Sequence, residues 1–282
     1  SKRPMKRVIS PLEMMGAKFD HSDYKLPVKI YGTNLKGIDY NSHLASAQVK
    51  SCLLLAGLNA DGVTSFTEPY KSRNHTELMF EYMGADIKIE GNKVSVQKSQ
   101  LQPVDITVAG DISSAAFFIA AALIVPGADI LIKNVGINET RSGIIDVVKA
   151  MNGDIEILNE RLISNEKVAD IRVRYSKLNS TVIEGEIIPR LIDEIPVIAV
   201  MAALADGTTV IKDAGDLRNK EADRITAVRN ELSKLGADIQ EMPDGLIITG
   251  KKHLEGGSCV ECYHDHRIAM SEYVAGLVCK SP

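Results

Sequence analysis

The sequence predicts an α/β protein assembled from repeats, and three observations carry that prediction. From Arg224 to Gly250, Ile225, Val228, Leu232 and Leu235 recur at i, i+3, i+7 and i+10, the apolar stripe of one helix face. Gly236 follows as a residue able to close the helix in the left-handed conformation. Ile239 then opens a strand, Asp244-Gly245 turns, and Leu246-Ile247-Ile248 returns. Second, this helix–strand–strand unit occurs four times, with marker glycines at 16, 84, 153 and 236, spaced 68, 69 and 83 residues apart. Third, a different module, a small-residue helix followed by a strand, also occurs four times between them.

In chain order, Val8, Ile9, Leu12 and Met15 form the first stripe and lead into Gly16-Ala17. Leu78, Met79, Tyr82 and Met83 lead into Gly84-Ala85-Asp86-Ile87, a turn at Gly91-Asn92 and a returning strand at Val94-Ser95-Val96. Ile144, Ile145, Val148 and Met151 lead into Gly153-Asp154-Ile155. The small-residue modules run from Ser46 to Phe66, Asp111 to Ile132, Asp193 to Ile211 and Asp265 to Lys280. The last is expected to stop before any strand. With a start at Ser1 just before a helix, the chain reads as a fragment of a longer protein. Gly110-Asp111-Ile112-Ser113-Ser114 joins a strand to an Ala-rich helix and is the expected domain crossing, giving domains 1–109 and 110–282.

Composition bounds the function. At 282 residues, 45% apolar and 25% charged, the chain is ordinary globular material, long enough for two domains. A net charge of -4 gives no global field to recruit nucleic acid. No apolar run approaches ~18 residues without a polar break, so no membrane span is expected. Cys52, Cys259, Cys262 and Cys279 form no disulfide-like framework, which fits a reducing cytosol. Cys259 and Cys262 with His264 and His266 have metal-ligand spacing, but a single CxxC is a weak zinc signal against free thiols. There is neither a Walker loop nor a GxGxxG.

Charge collects at helix starts. Arg3 precedes the first helix, either as a ligand-reaching side chain or as part of a solvated basic tail. Ser46-Ala47-Gln48-Val49-Lys50 opens a helix whose N–H groups, hydroxyl and amide suit an anion or a sugar; simple N-capping by Ser46 explains it equally well. Arg73 and Arg141 stand at two further helix starts. A base there opposes the macrodipole, so its recurrence at Arg3, Arg73, Arg141 and Lys220 argues for something anionic nearby. Asp193 and Glu194 begin another apolar helix. Glu194 reads as an ordinary helix-start acid, whereas Asp193 falls in the slot of Ser46 and Asp111 and is a candidate base. From Arg218 to Arg224, five of seven residues are ionisable, either a self-paired helix entry or a site. His264-Asp265-His266-Arg267 is the last such cluster.

Lys2-Arg3-Pro4-Met5, Ser46-Ala47-Gln48, Gly110-Asp111-Ile112-Ser113-Ser114, Asp193-Glu194, Lys220-Glu221-Ala222-Asp223-Arg224 and Asp265-His266-Arg267 together resemble the 5-enolpyruvylshikimate-3-phosphate synthases, in order and over essentially the whole chain. Ser46 to Lys50, Arg73 to Glu77 and Asn138 to Arg141 are similar to the glyphosate-tolerant subclass. The resemblance implies an inside-out α/β barrel of two domains, each made of repeated βαβαββ units around a cleft. Residues 1–109 would hold about one and a half units and 110–282 about two and a half. It implies transfer of the enolpyruvyl group of phosphoenolpyruvate to the 5-hydroxyl of shikimate 3-phosphate, by a cytoplasmic monomer without metal or other cofactor.

By the same resemblance, phosphoenolpyruvate contacts fall on Arg3, Gln48, Arg224 and Arg267. Shikimate 3-phosphate contacts fall on Ser46, Ala47, Gln48, Arg73, Asp193 and Lys220. Asp193 would be the general base, and Glu221 would handle the methylene proton. Ala47 stands where many relatives carry Ser, which removes one potential hydrogen bond. The family's Lys-Ser pair, a further Arg, a Gly-containing phosphoenolpyruvate loop and a late Lys are not in this chain, which is therefore expected to be inactive alone. The alternatives are enolpyruvyl transfer to UDP-N-acetylglucosamine, whose reactive Cys in a Pro-Gly-rich loop is not found here, and a non-catalytic fragment.

Overall fold

Two residue patterns alternate along the chain, and two kinds of helix result. The computed structural model describes residues 5–281; the predicted contact Arg3 lies outside the described residues. Contacts group the chain into two units, Ser1–Thr107 with Ile163–Glu166, and Val108–Leu162 with Lys167–Pro282.

In the first unit, α1 (Lys6–Met14) leads into the antiparallel pair β1 (Lys18–Ser22) and β2 (Lys25–Tyr31). Then β3 (Asp39–Asn41), α2 (Ala47–Gly57), β4 (Thr64–Thr67), α3 (His75–Tyr82), β5 (Ile87–Glu90) and β6 (Lys93–Val96) follow. They form one βαβαββ unit with sheet order β3-β4-β6-β5, in which β3 and β4 are parallel and the other pairs antiparallel. Gly57 is required where α2 crosses this sheet: a Cβ there would come within 2.7 Å of Val96 and 2.8 Å of Thr64. Two small buried clusters hold the unit, one around Met15, Leu53 and Phe66, the other around Leu54, Phe80 and Val96.

The second unit repeats the plan. It contains α4 (Ile112–Ile124), β7 (Asp129–Gly136), α5 (Gly143–Ala150), β8 (Asp154–Ile163) and β9 (Glu166–Arg174), with sheet order β7-β9-β8. Gly110 makes a single parallel bridge to Val135 where the leading strand of the repeat belongs. Then β10 (Val182–Ile183), α6 (Ile195–Ala202), β11 (Thr208–Ile211), α7 (Arg224–Lys234), β12 (Asp238–Met242) and β13 (Gly245–Thr249) form the order β10-β11-β13-β12. This is the strand order and direction pattern of the first unit's sheet. β14 (Leu254–Gly256), α8 (His266–Gly276) and β15 (Cys279–Ser281) close the described chain, β14 and β15 pairing in parallel.

The helix types differ as their patterns predict. α7 buries Ile225, Val228 and Leu232 and exposes Arg229 and Lys234. α4 and α6 are apolar on every side, and all eight residues of α6 are buried. One continuous apolar core, from Ile112 through Ile198 to Ala275, surrounds them. No helix among the described residues is long and apolar enough to cross a membrane.

Four expectations need correction. The last module does have its strand, β15, because Cys279–Ser281 finds a parallel partner in β14. In the third unit the left-handed residue is Asn152 (φ 61°) and not Gly153; Gly153 is needed instead for space, its Cβ falling 2.7 Å from Val148 and 2.9 Å from Leu123. The left-handed positions 16, 84 and 152 are therefore 68 and 68 residues apart. The hairpin after α7 turns on Pro243-Asp244, since Met242 already pairs with Gly245. Finally, Glu194 and not Asp193 occupies the N-cap position of α6.

Candidate functional site

In the second unit, the starts of α6, α7 and α8 bring five of the predicted residues together: Asp193, Lys220, Glu221, Arg224 and Arg267. Asp265 N-caps α8, accepting from the Arg267 N–H at 2.9 Å, and is fully buried. Its carboxylate also receives Arg224 twice, from Nε at 2.7 Å and from Nη2 at 3.3 Å, although Asp265 lies 41 residues away in sequence. Burial opposes charge on Asp265, but the bonds from Arg224 and from the Arg267 and Ile268 N–H groups outweigh it and hold the carboxyl below its usual range. Arg224 is 2% exposed and uses its remaining edges on Glu221 Oε2 at 2.9 Å and Asp193 Oδ1 at 3.3 Å.

Asp193 also faces the Lys220 ammonium at 3.4 Å. Arg267 donates to the Asp193 carbonyl oxygen at 3.3 Å and lies 3.8 Å from the buried Glu194 carboxylate. One end of this helix cluster thus holds three cations (Lys220, Arg224, Arg267) interleaved with four carboxylates (Asp193, Glu194, Glu221, Asp265). Asp193 is ion-paired with two cations, and Glu221 is the exposed acid of the group.

Ser46, Ala47, Gln48 and Arg73 lie in the first unit. Ser46 N-caps α2, its hydroxyl accepting from the Val49 N–H at 3.4 Å, and Ala47 and Gln48 are the first two helical residues. Gln48 Oε1 accepts from Arg7 at 2.7 Å. Arg73 is half-buried in the segment that precedes α3. The anionic partner expected near Arg141 turns out to be in the protein itself: Arg141 donates to Asp111 at 2.6 Å and to Ser113 Oγ at 3.0 Å, at the start of α4. Cys259 and Cys262 are exposed free thiols, and no group of three or more His, Cys, Asp or Glu among the described residues is placed to hold a metal.

Residues 1–282, the whole chain, match the family model of EPSP synthase (3-phosphoshikimate 1-carboxyvinyltransferase). The chain belongs to the EPSP synthase family. It is 55% identical over 279 residues to the 3-phosphoshikimate 1-carboxyvinyltransferase of Thermoanaerobacter sp. (strain X514), covering 98% of this chain and 66% of that protein. Against the Brevibacillus brevis protein of the same name it is 55% identical, covering 99% and 66%. Among solved structures, an EPSP synthase from Acinetobacter baumannii superposes with a TM-score of 0.89 at 44% identity, covering 99% of this chain and 65% of that one. The enolpyruvyl transferase NikO from Streptomyces tendae shares the fold, with a TM-score of 0.80 at 18% identity over 100% of this chain and 66% of that one. The fold is accordingly the inside-out α/β fold of these enzymes. The chain spans 66% of the length of the curated relatives it matches.

Membership of the EPSP synthase family leaves the roles of individual residues to geometry, and geometry adds residues that sequence reasoning did not single out. Asp265 was legible as a helix-start acid, but its bidentate grip on Arg224 was not. Lys50 read as one more residue of a helix opening, yet it is buried between two glutamates. A lysine on the inner face of an apolar helix is the signal that would have found it.

Proposed function

We propose that the full-length protein containing this chain transfers the enolpyruvyl group of phosphoenolpyruvate to the 5-hydroxyl of shikimate 3-phosphate, releasing phosphate. The observation that carries this reading is the end-to-end match to the EPSP synthase family at 55% identity to named relatives. It favours shikimate 3-phosphate over an amino-sugar nucleotide as acceptor. The proposal includes a cytoplasmic, monomeric enzyme, as the resemblance implies.

In this reading Asp193 takes the proton of the 5-hydroxyl as that oxygen bonds to C2 of phosphoenolpyruvate, and C3 gains a proton. Loss of a C3 proton and cleavage of the C2–O bond to phosphate then re-form the C2–C3 double bond, now as the enol ether of the acceptor, and phosphate leaves. Glu221 serves the C3 proton in both directions. Lys220 and Arg224, at 3.4 and 3.3 Å from Asp193, favour its ionised, proton-accepting form. Arg267 and Lys220 offer charge-assisted donors to the substrate anions. Arg224 is already engaged by carboxylates, so an arriving anion draws it from Glu221, the exposed partner, rather than from Asp265. Phosphate release by the full-length protein, measured with and without shikimate 3-phosphate, tests the reading. Release that requires both substrates is expected; its absence in folded protein overturns the proposal.

A further inference from the structure

The first unit buries an ionic cluster that the reaction does not use. Lys50, on α2 and 1% exposed, places Nζ 2.8 Å from Glu68 Oε1, 2.7 Å from Glu77 Oε1 and 3.4 Å from the Ser72 carbonyl oxygen. Glu68 Oε1 also accepts the Ser72 N–H at 3.0 Å. Glu68 Oε2, Glu77 Oε2 and Ser72 Oγ are buried with no hydrogen bond. Burying one cation and two carboxylates with three polar atoms unsatisfied is a poor way to stabilise a fold, since apolar side chains of similar size often do as well or better. Burial also pushes the Glu77 carboxyl up, against the pull of Lys50, so the second acid tends toward its neutral form.

What the cluster does accomplish is register. Lys50 sits two residues after Gln48 in the first turns of α2, and Ser72 directly precedes Arg73. Glu68 grips both, and Glu77 anchors the start of α3 on the other side of Arg73. We propose that Lys50, Glu68 and Glu77 are positioning residues that fix Arg73 relative to the start of α2, and so set affinity for the phosphorylated acceptor. This rests on the acceptor assignment of Arg73 given above. Side chains that bind a substrate phosphate work only when held within a fraction of an ångström, and a buried charged clamp with one geometry supplies that where an apolar contact would slide.

The test uses the full-length enzyme and two readouts. Hydrogen exchange at Ser72–Asn74 should quicken at least ~10-fold in Glu68→Met, which removes the acceptor of the Ser72 N–H, and in Lys50→Met, while α2 and β4 keep their protection. In kinetics, KM for shikimate 3-phosphate should rise roughly 10-fold in Lys50→Met, with KM for phosphoenolpyruvate and kcat moving less than about 3-fold. The triple change Lys50→Met, Glu68→Met, Glu77→Met should restore the thermal midpoint lost in Lys50→Met without recovering that KM, since the Ser72 carbonyl still lacks the Lys50 ammonium and the Ser72 N–H has now lost Glu68 as well. Unchanged exchange at Ser72–Asn74, or a folded triple variant with the original KM, overturns the positioning role. A wild-type enzyme without acceptor-dependent phosphate release would instead overturn the functional reading, and the exchange result would still decide the clamp.

Discussion

Removing Arg224 and removing Arg267 should break different things. Arg224 is 2% exposed and neutralises the fully buried Asp265, so Arg224→Ala strands a buried carboxylate. Such a loss costs about 3–5 kcal/mol and should appear first in denaturant unfolding of the full-length protein. Arg267 is less deeply held, bonding mainly to a carbonyl oxygen. Arg267→Ala should cost roughly 1.5–3 kcal/mol of phosphoenolpyruvate affinity and much less for shikimate 3-phosphate. Equal losses for both substrates would show that Arg267 supports the fold and does not read one ligand. Asp193→Asn keeps shape and removes the base, so turnover should fall by about 10²–10⁴ with shikimate 3-phosphate still bound. Near-normal turnover would move the base to Glu221. At this scale the sequence shows which residues are charged and where helices start, but not who pairs with whom. Arg224 and Asp265 lie in separate motifs, and only folding makes them one group.

At the scale of elements, periodicity was enough to place α7 and its apolar stripe, and small-residue runs were enough to place α4 and α6 as helices, though not to show that they form the interior. It failed where spacing is set by contact rather than by pattern. β15 exists because β14 lies beside it, and Asn152 takes the left-handed position because Gly153 is needed against Val148 and Leu123. α8 carries a further consequence. Glu272 is 5% exposed with neither oxygen hydrogen-bonded, while neighbouring Glu231 on α7 takes Lys234, the Tyr263 hydroxyl and the Glu261 N–H. Burial, reinforced by the Glu231 charge and only partly relieved by Lys234, pushes Glu272 up to about 8. An unfolded glutamate titrates near ~4.3, so the folded protein holds an extra proton between these values and loses stability as pH rises through them. Glu272→Gln removes that penalty. Its stability advantage over wild type should grow by on the order of 3 kcal/mol from pH 5 to pH 8 in urea unfolding. Parallel pH curves for the two proteins would rule this out.

Across the whole molecule, the repeated βαβαββ plan was visible in the sequence as two alternating modules, but its distribution of stability was not. The turn Ile163–Glu166 also groups with the first unit although its strands belong to the second, an excursion that no local pattern announces. The second unit surrounds two predominantly apolar helices with one continuous core, whereas the first divides its buried side chains between two small clusters. β1 and β2 form a two-stranded sheet with no fully buried residue on either face, an arrangement of marginal stability in water. Local opening should follow these differences, since amides exchange through the cheapest unfolding event that exposes them. In native-state hydrogen exchange, the amides of α4 and α6 should be the slowest, opening only with their whole unit. Those of β1 and β2 should exchange at least ~100-fold faster, with the β3-β4-β6-β5 sheet between the two. Uniform protection across the two units would mean that they unfold as one cooperative body, and that the divided core of the first unit costs it nothing.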